Sequence, residues 1–471
     1  MTELRPLDAG FIELEDSDRH ISLGIGAVAI LSGTPPSRAE FTRELGRRIA
    51  DNARLRQRVH RARLDLSTPN WEEDANFDLA HHIRWIALPE PADDAALFDF
   101  IATDLAERLD RDHPLWECVV IERLTDERWA MLIKAHHSLV DGVSGVTMFA
   151  TFCDPVQEEA APADASVPAA PADIVDAHSP NWFDRTLSAV RLPFGLPGQA
   201  VDLLRSVLPV AAGAIIPAAE SSLNGSIGRQ RRYIGARTSL TDVREIRAAF
   251  GTTVNDVVLA AVTSGYRALL LARGERPVDD TLRILVPVSM RPADAMNLLD
   301  NRVSALLPRL PVHLDDPVVR LRVIHTRMAE HKSKGAAQAE DSMIAMAARL
   351  PFATVAWSLR LAALLPQRGV TALATNVRGP RVRVTVQGRE VLDLFPIVPI
   401  AMRLRTGIAI LSYLDHLNFG ITGDFDSTPD IEVLAEGIRS GIAELLAAAR
   451  ARAATAPHPR SAASHHSAPT R

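Results

Sequence analysis

The chain of 471 residues predicts an α+β fold built as two halves joined by a crossover. Three observations carry that prediction. The length exceeds one ordinary domain, so two or three units are expected. Strand-like apolar runs and helical apolar spacings are intermixed in the first third of the chain and again in its second half. Between them lies a stretch from Ala160-Ala161-Pro162 to Ala169-Ala170-Pro171 that has little to bury and reads as an extended linker. The expected organisation is a first half over 1–153, a linker with a connecting helix over 154–228, a second half over 229–453, and a tail over 454–471. The tail is Ala, Pro, Ser and His, a composition that predicts disorder.

In chain order, residues 4–31 read as an opening loop followed by a strand, the strand ending at the Ser32-Gly33 turn signal. Arg38 to Asn52 has Phe41, Leu45 and Ile49 four apart, which predicts an amphipathic helix. Arg54 to Val59 is a basic block, and Ile83 to Leu88 is strand-like. Ala95 to Leu109 carries a core-facing stripe of Phe98, Ile101, Leu105 and Leu109. Glu117–Leu124 and Trp129–Ala135, joined by Thr125-Asp126-Glu127, read as a β-hairpin.

Past the linker, Asn181 to Ala219 has helical spacing. Val207 to Ala219 is too short to span a bilayer and is interrupted by Pro209 and Pro217, so a bridging or interfacial helix is expected there. Leu240–Phe250 is helical, and a second helix starts at Thr252-Thr253-Val254-Asn255-Asp256, with Thr253 or Asn255 as its cap. Arg283–Ser289 and Asn301–Leu310 read as strands. Pro317–Lys332 is a helix with Asp316 at its cap and Pro317 at its first position. Ser342–Leu365 reads as packed helices. Strands are expected at Thr371–Asn376, Arg381–Val386, Gly407–Tyr413 and His416–Thr422, then a long helix over Asp430–Ala453.

Composition excludes several classes. A net charge of -6 argues against nucleic acid as a partner. Two cysteines, Cys118 and Cys153, make no disulfide framework and fit a reducing compartment. The start, Met1 to Arg5, has no basic region followed by an apolar core, so no secretory signal is expected.

The chemistry concentrates in His136-His137-Ser138-Leu139-Val140-Asp141-Gly142, at the end of a strand and ahead of a segment, Val143–Phe152, that can begin a helix. Histidine titrates near neutrality and can take a proton from an alcohol. Adjacent residues on a strand point to opposite faces, so one imidazole faces a cleft and the other the scaffold. Asp141 reads as an orienting carboxylate, and Gly142 supplies the permissive backbone for a turn. Paired histidines alone say little, since His81-His82 and His465-His466 also occur. A metal site needs three or four converging ligands, and none is expected here. A serine hydrolase would want Gly-x-Ser-x-Gly, and Gly142-Val143-Ser144-Gly145 has the wrong spacing.

The stretch resembles the HHxxxDG motif of the acyl-CoA-dependent acyltransferase superfamily. Pro6-Leu7-Asp8, Pro114-Leu115-Trp116, the run from Asn255-Asp256 to Ala260, the run from Val286-Pro287 to Arg291, and Thr375-Asn376-Val377-Arg378-Gly379-Pro380 extend the likeness over about residues 4–448. With these, the chain is similar to the bacterial wax ester synthase/diacylglycerol acyltransferase family. The resemblance implies two chloramphenicol-acetyltransferase-like halves with the active-site channel at their interface. It implies acyl-CoA as donor, diacylglycerol or a long-chain alcohol as acceptor, and His137 as general base. His136, Asp141 and Gly142 would support the loop, Arg291 would meet Asp141, and Asn255 and Asn376 would line or support the site. No resident cofactor is implied. A basic patch for the coenzyme's phosphates is expected from Arg229, Arg231 and Arg232 or from Arg381 and Arg383. Cytoplasmic residence with peripheral attachment to the inner membrane face or a lipid droplet is also expected; the oligomeric state stays open. Two rivals remain at this level: an enzyme whose donor is tethered to a carrier protein, and a silent lipid-binding paralogue.

Overall fold

The computed structural model describes residues 2–50, 52–61, 68–140, 142–155, 217–289, 303–333 and 367–455. In order, the first half contains β1 (Thr2–Glu3), α1 (Pro6–Ser17), β2 (Gly24–Ser32), α2 (Arg38–Ala50), β3 (Gln57–His60), β4 (Asn70–Glu73), β5 (Ile83–Ile86), α3 (Asp94–Ala106), β6 (Trp116–Leu124), β7 (Arg128–His136) and α4 (Gly142–Phe152). The second contains β8 (Arg231–Ser239), α5 (Leu240–Phe250), α6 (Val254–Ala272), β9 (Leu282–Ser289), β10 (Val303–Leu306), β11 (Arg309–Leu310) and α7 (Pro317–Ser333). It continues with β12 (Ala372–Arg378), β13 (Thr385–Val386), β14 (Arg389–Ile397), β15 (Thr406–Tyr413), β16 (His416–Asp424) and α8 (Ile431–Thr455).

Two large sheets carry the structure. The first has the order β13-β14-β2-β7-β6-β5 and the second β10-β9-β12-β15-β16-β8, with β11 on β9 and a small β1-β4-β3 sheet at the side. The hairpin of β6 and β7 forms because Asp126 and Glu127 both take positive φ, 61° and 51°, the turn geometry that matches strand twist. Each large sheet is covered by helices on its apolar faces. Phe41, Leu45 and Ile49 of α2 are buried, as are Leu97, Ile101 and Leu105 of α3. In the second half α6 and α8 pack closely enough that a Cβ at Gly437 would come within 2.8 Å of Gly265. α6 is, among the described residues, the one helix long and apolar enough to cross a membrane, but two thirds of it is buried in the core.

The halves are stitched together. β14 comes late in the chain, yet it pairs with β2 of the first sheet, Phe395 opposite Val28 and Ile397 opposite Gly26. Its Pro396 carbonyl accepts from the Tyr233 hydroxyl of β8 at 2.8 Å. Phe98 of α3 meets the rings of Tyr233 and Phe395 edge-on, each at 5.6 Å between centroids, a favoured aromatic geometry.

Three expectations are corrected. Residues 6–17 form a helix, not an opening loop. Pro6 stands at its start and Asp8 in its first turn, both favourable there. The strand expected over 301–310 is two short strands, broken at Leu307-Pro308 where proline cannot donate to the ladder. Over Arg381–Val386 only Thr385–Val386 is strand. β8 and β14 were not foreseen at all. The linker residues from 156, the helices expected over 181–219 and 342–365, and the tail from 456 lie outside the described residues, save residues 217–219, which are not helical.

Candidate active site

β7 runs antiparallel to β2 with His136 opposite Gly24, which brings the paired histidines to the end of the first sheet beside α1. Alternation then sorts the side chains. Lys134 and His136 fall on one face, Ile133 and Ala135 on the other, and His137 continues the second set.

The His136 side is polar and closed. His136 is only 1% exposed. Its Nδ1 accepts the Ser138 backbone N–H at 3.1 Å and lies 2.7 Å from the Ser138 hydroxyl. The ring proton therefore sits on Nε2, which faces Glu15 Oε2 at 3.5 Å, an electrostatic contact rather than a hydrogen bond. Glu15 accepts the Leu23 N–H at 2.9 Å and Arg111 at 2.5 Å. Burial pushes the Glu15 carboxyl upward, but the His136 ring, the Leu23 N–H and the Arg111 guanidinium together bring it down to about 2. Arg111 and Arg61 both also hold Asp16, and Arg61 reaches the buried Glu13. Beside this network the Lys134 ammonium is enclosed, donating to Asp104 Oδ2 at 2.7 Å and pairing with Glu117 at 2.5 Å. Burial raises the Glu117 pKa.

The His137 side is different. His137 is half-buried. Its backbone N–H is fixed to the Leu23 carbonyl at 2.9 Å. Its ring stacks on Phe11 of α1, 4.1 Å between centroids and 22° between planes. Earlier on the strand, Ile133 and Ala135 of β7 share a cavity with β2, β14, α4 and the facing strands β12 and β15 of the second sheet. This cavity lies between the halves and its lining is almost wholly apolar.

Asn255 and Asn376, 121 residues apart, are brought together: Asn376 Nδ2 lies 3.4 Å from Asn255 Oδ1. Thr375 and Val377 line the cavity, so Asn376 between them points to the other face of β12. Thr253, not Asn255, caps α6, in a reciprocal capping box with Asp256. The buried Asp256 carboxylate also meets His325 at 2.8 Å, which makes Asp256 a structural residue. Asp141 and Arg291 lie outside the described residues; Gly142 is the first residue of α4.

The expected basic patch changes. Arg231 is 5% exposed and its guanidinium serves the Gly228, Gln230 and His20 carbonyls, so it faces no solvent-borne phosphate. Arg232 lies over the Phe425 ring, Arg229 pairs with Glu107, and Arg383 pairs with Glu390. Arg381 is exposed. Glu15 and Phe11 were missed by the sequence reading. The available signal was the four-residue spacing of Phe11 and Glu15 behind Pro6, which places both on one helical face.

The same two-sheet α+β fold occurs in a solved condensation domain. The starter condensation domain of rhizomide synthetase, in complex with C8-CoA and Leu-SNAC, shares the fold with a TM-score of 0.56 at 14% identity, covering 95% of this chain and 94% of that one. The wax ester synthase/diacylglycerol acyltransferase of Marinobacter aquaeolei VT8 has a TM-score of 0.68 at 25% identity, covering 96% of this chain and 100% of that one. The wax ester synthase/diacylglycerol acyltransferase catalytic domain matches residues 4–258, and the C-terminal domain of that family matches 299–446. A protein of Mycobacterium tuberculosis named probable diacylglycerol O-acyltransferase tgs1 is 42% identical over 455 residues, which is 97% of this chain and 98% of its own length. The chain belongs to the wax ester synthase/diacylglycerol acyltransferase family, and it is an acyltransferase.

Proposed function

We propose that the protein transfers a long-chain acyl group from acyl-CoA to the free hydroxyl of a diacylglycerol, forming a triacylglycerol, with His137 as general base. The observation that carries this reading is the position of His137. Its ring stands half-buried just past the end of β7, stacked on Phe11, and Ile133 and Ala135 of the same strand line the apolar cavity, while His136 is sealed away against Glu15. The full-length similarity to a protein named as a diacylglycerol acyltransferase supports the choice of acceptor. A long-chain alcohol, giving a wax ester, is the second acceptor to test, because the Marinobacter relative bears both names.

In the reaction His137 takes the hydroxyl proton as the acceptor oxygen attacks the thioester carbonyl carbon. The C–O bond forms, the C–S bond breaks, and the imidazolium returns its proton to the departing thiolate. General base catalysis of this kind contributes about 10²–10⁴-fold in rate. Phe11 stacks on the His137 ring, and the Leu23 carbonyl fixes its backbone. His136 and Glu15 are positioning residues that hold the end of β7. Asp141, Asn255, Asn376 and Arg291 are proposed to support the loop and the facing wall. An apolar acceptor implies work at a membrane or lipid-droplet surface from the cytoplasmic side.

The test is thiol release from palmitoyl-CoA by purified protein, with dioleoylglycerol and hexadecanol as separate acceptors. Release that depends on dioleoylglycerol is expected. Release with hexadecanol alone would replace the acceptor. No release with either acceptor would contradict the free acyl-CoA reading.

A further inference from the structure

Gly145 sits in the first turn of α4 and lines the cavity that Ile133 and Ala135 of β7 also line. Glycine inside a helix costs up to about 0.5–1 kcal/mol relative to alanine, and at three positions in α6 and α8 close packing demands it, though at Gly46 of α2 it does not. A Cβ at Gly265, Gly437 or Gly441 would meet a neighbour at 2.6–2.8 Å. At Gly145 a Cβ would meet nothing within 4 Å among the described residues. Packing against those residues therefore does not explain this glycine. What lies in front of it is open space of about 70 Å³, walled by Ile25, Ala135, Phe149, Val377 and Leu411 among others. That is several times the room of about 10–15 Å³ that one water needs. Water there would find few polar partners, so the space suits an apolar guest.

The same cavity lies on the His137 face of β7. From His137 to Ile133 the strand runs about 13 Å at roughly 3.3 Å per residue. We propose that this space takes a linear hydrocarbon chain whose reacting end lies at His137, and that Gly145 sets the chain length the enzyme accepts. The proposal rests on the acyl-transfer reading above. The chain belongs either to the acyl donor or to the acceptor, and the experiment separates the two.

The variants are Gly145→Leu, which fills the space, and Gly145→Ala, which adds one methyl and removes the helix cost. Two kcat/KM series are measured: acyl-CoA donors from butyryl to stearoyl with one acceptor, and alcohols from butanol to octadecanol with butyryl-CoA. In Gly145→Leu the palmitoyl-to-butyryl ratio is expected to fall tenfold or more, with Gly145→Ala intermediate. A fall confined to the alcohol series would assign the same space to the acceptor chain. Ratios equal to wild type in both series would overturn the proposal. If wild type shows no acceptor-dependent thiol release, the transfer reading fails separately. The chain site is then read by displacement of cis-parinaric acid with palmitate. Tight displacement in wild type, weakened in the variants, supports the proposal; equal displacement overturns it. Should Gly145→Leu fail to fold by circular dichroism, the Ala variant carries the comparison.

Discussion

At the residue scale the division of labour between two neighbouring histidines follows from one strand alternation. His136 turns into a buried lattice of charge, and His137 turns to the other side against the Phe11 ring. The lattice has a pH signature. Folded Glu15 ionises at about 2, against 4.5 for an ordinary glutamate. As pH falls, the unfolded chain takes up this proton first, so the unfolded state gains over the folded one. The contribution, on the order of 3 kcal/mol, is fully present above about pH 4.5 and is lost as pH falls toward 2. The urea midpoint of Glu15→Gln is expected below wild type near neutral pH, with the two curves converging near pH 2. A gap that stays constant across that range would show that Glu15 does not hold a depressed pKa. His82 acts in the same direction at higher pH: burial lowers its pKa, and its ring is held at 2.8 Å from the Trp116 carbonyl. It contributes stability above its ordinary value of 6.5 that is lost as pH falls below it.

At the element scale, helix ends were legible and α1 was not. Asp316 accepts the Val318 and Val319 N–H groups as its position before Pro317 implied. Thr253 and Asp256 likewise form the box that a threonine and an acid three apart allow. Thr253→Ala is expected to cost about 1 kcal/mol, seen as a lowered melting temperature; an unchanged one would remove the cap from the account. The acids of α1 hid its role. Glu13, Glu15 and Asp16 look like a solvated face in sequence. Their partners Arg61 and Arg111 lie 45–96 residues away, and no local spacing announces them. β14 was hidden for a related reason. Its Pro396 argues against a strand locally, and its partner β2 stands at the other end of the chain. The histidine strand, by contrast, is a continuous apolar run with a tight turn before it, and both signals are local.

At the scale of the whole molecule, the two halves do not merely abut. A strand late in the chain completes the first sheet, and β16 passes so close to it that a Cβ at Gly420 would fall 1.7 Å from the Pro396 carbonyl. Gly420→Ala must push β14 and β16 apart. It is expected to lower stability by more than the 1–3 kcal/mol typical of overpacking, and to reduce activity because the cavity wall moves with β14. Wild-type melting temperature and turnover in that variant would contradict the stitched architecture. The two-half plan and the strand-end histidines were readable from composition and order; the stitch, the enclosing helix and the empty space beside Gly145 required three dimensions.

The central claim is that His137 removes the acceptor proton. The most direct measurement is radiolabelled triacylglycerol formed from palmitoyl-CoA and dioleoylglycerol by wild type and by His137→Ala, each checked for an unchanged melting temperature. The account predicts a loss of about 10²–10⁴-fold in the variant. Product formation within tenfold of wild type by a folded His137→Ala protein would contradict it.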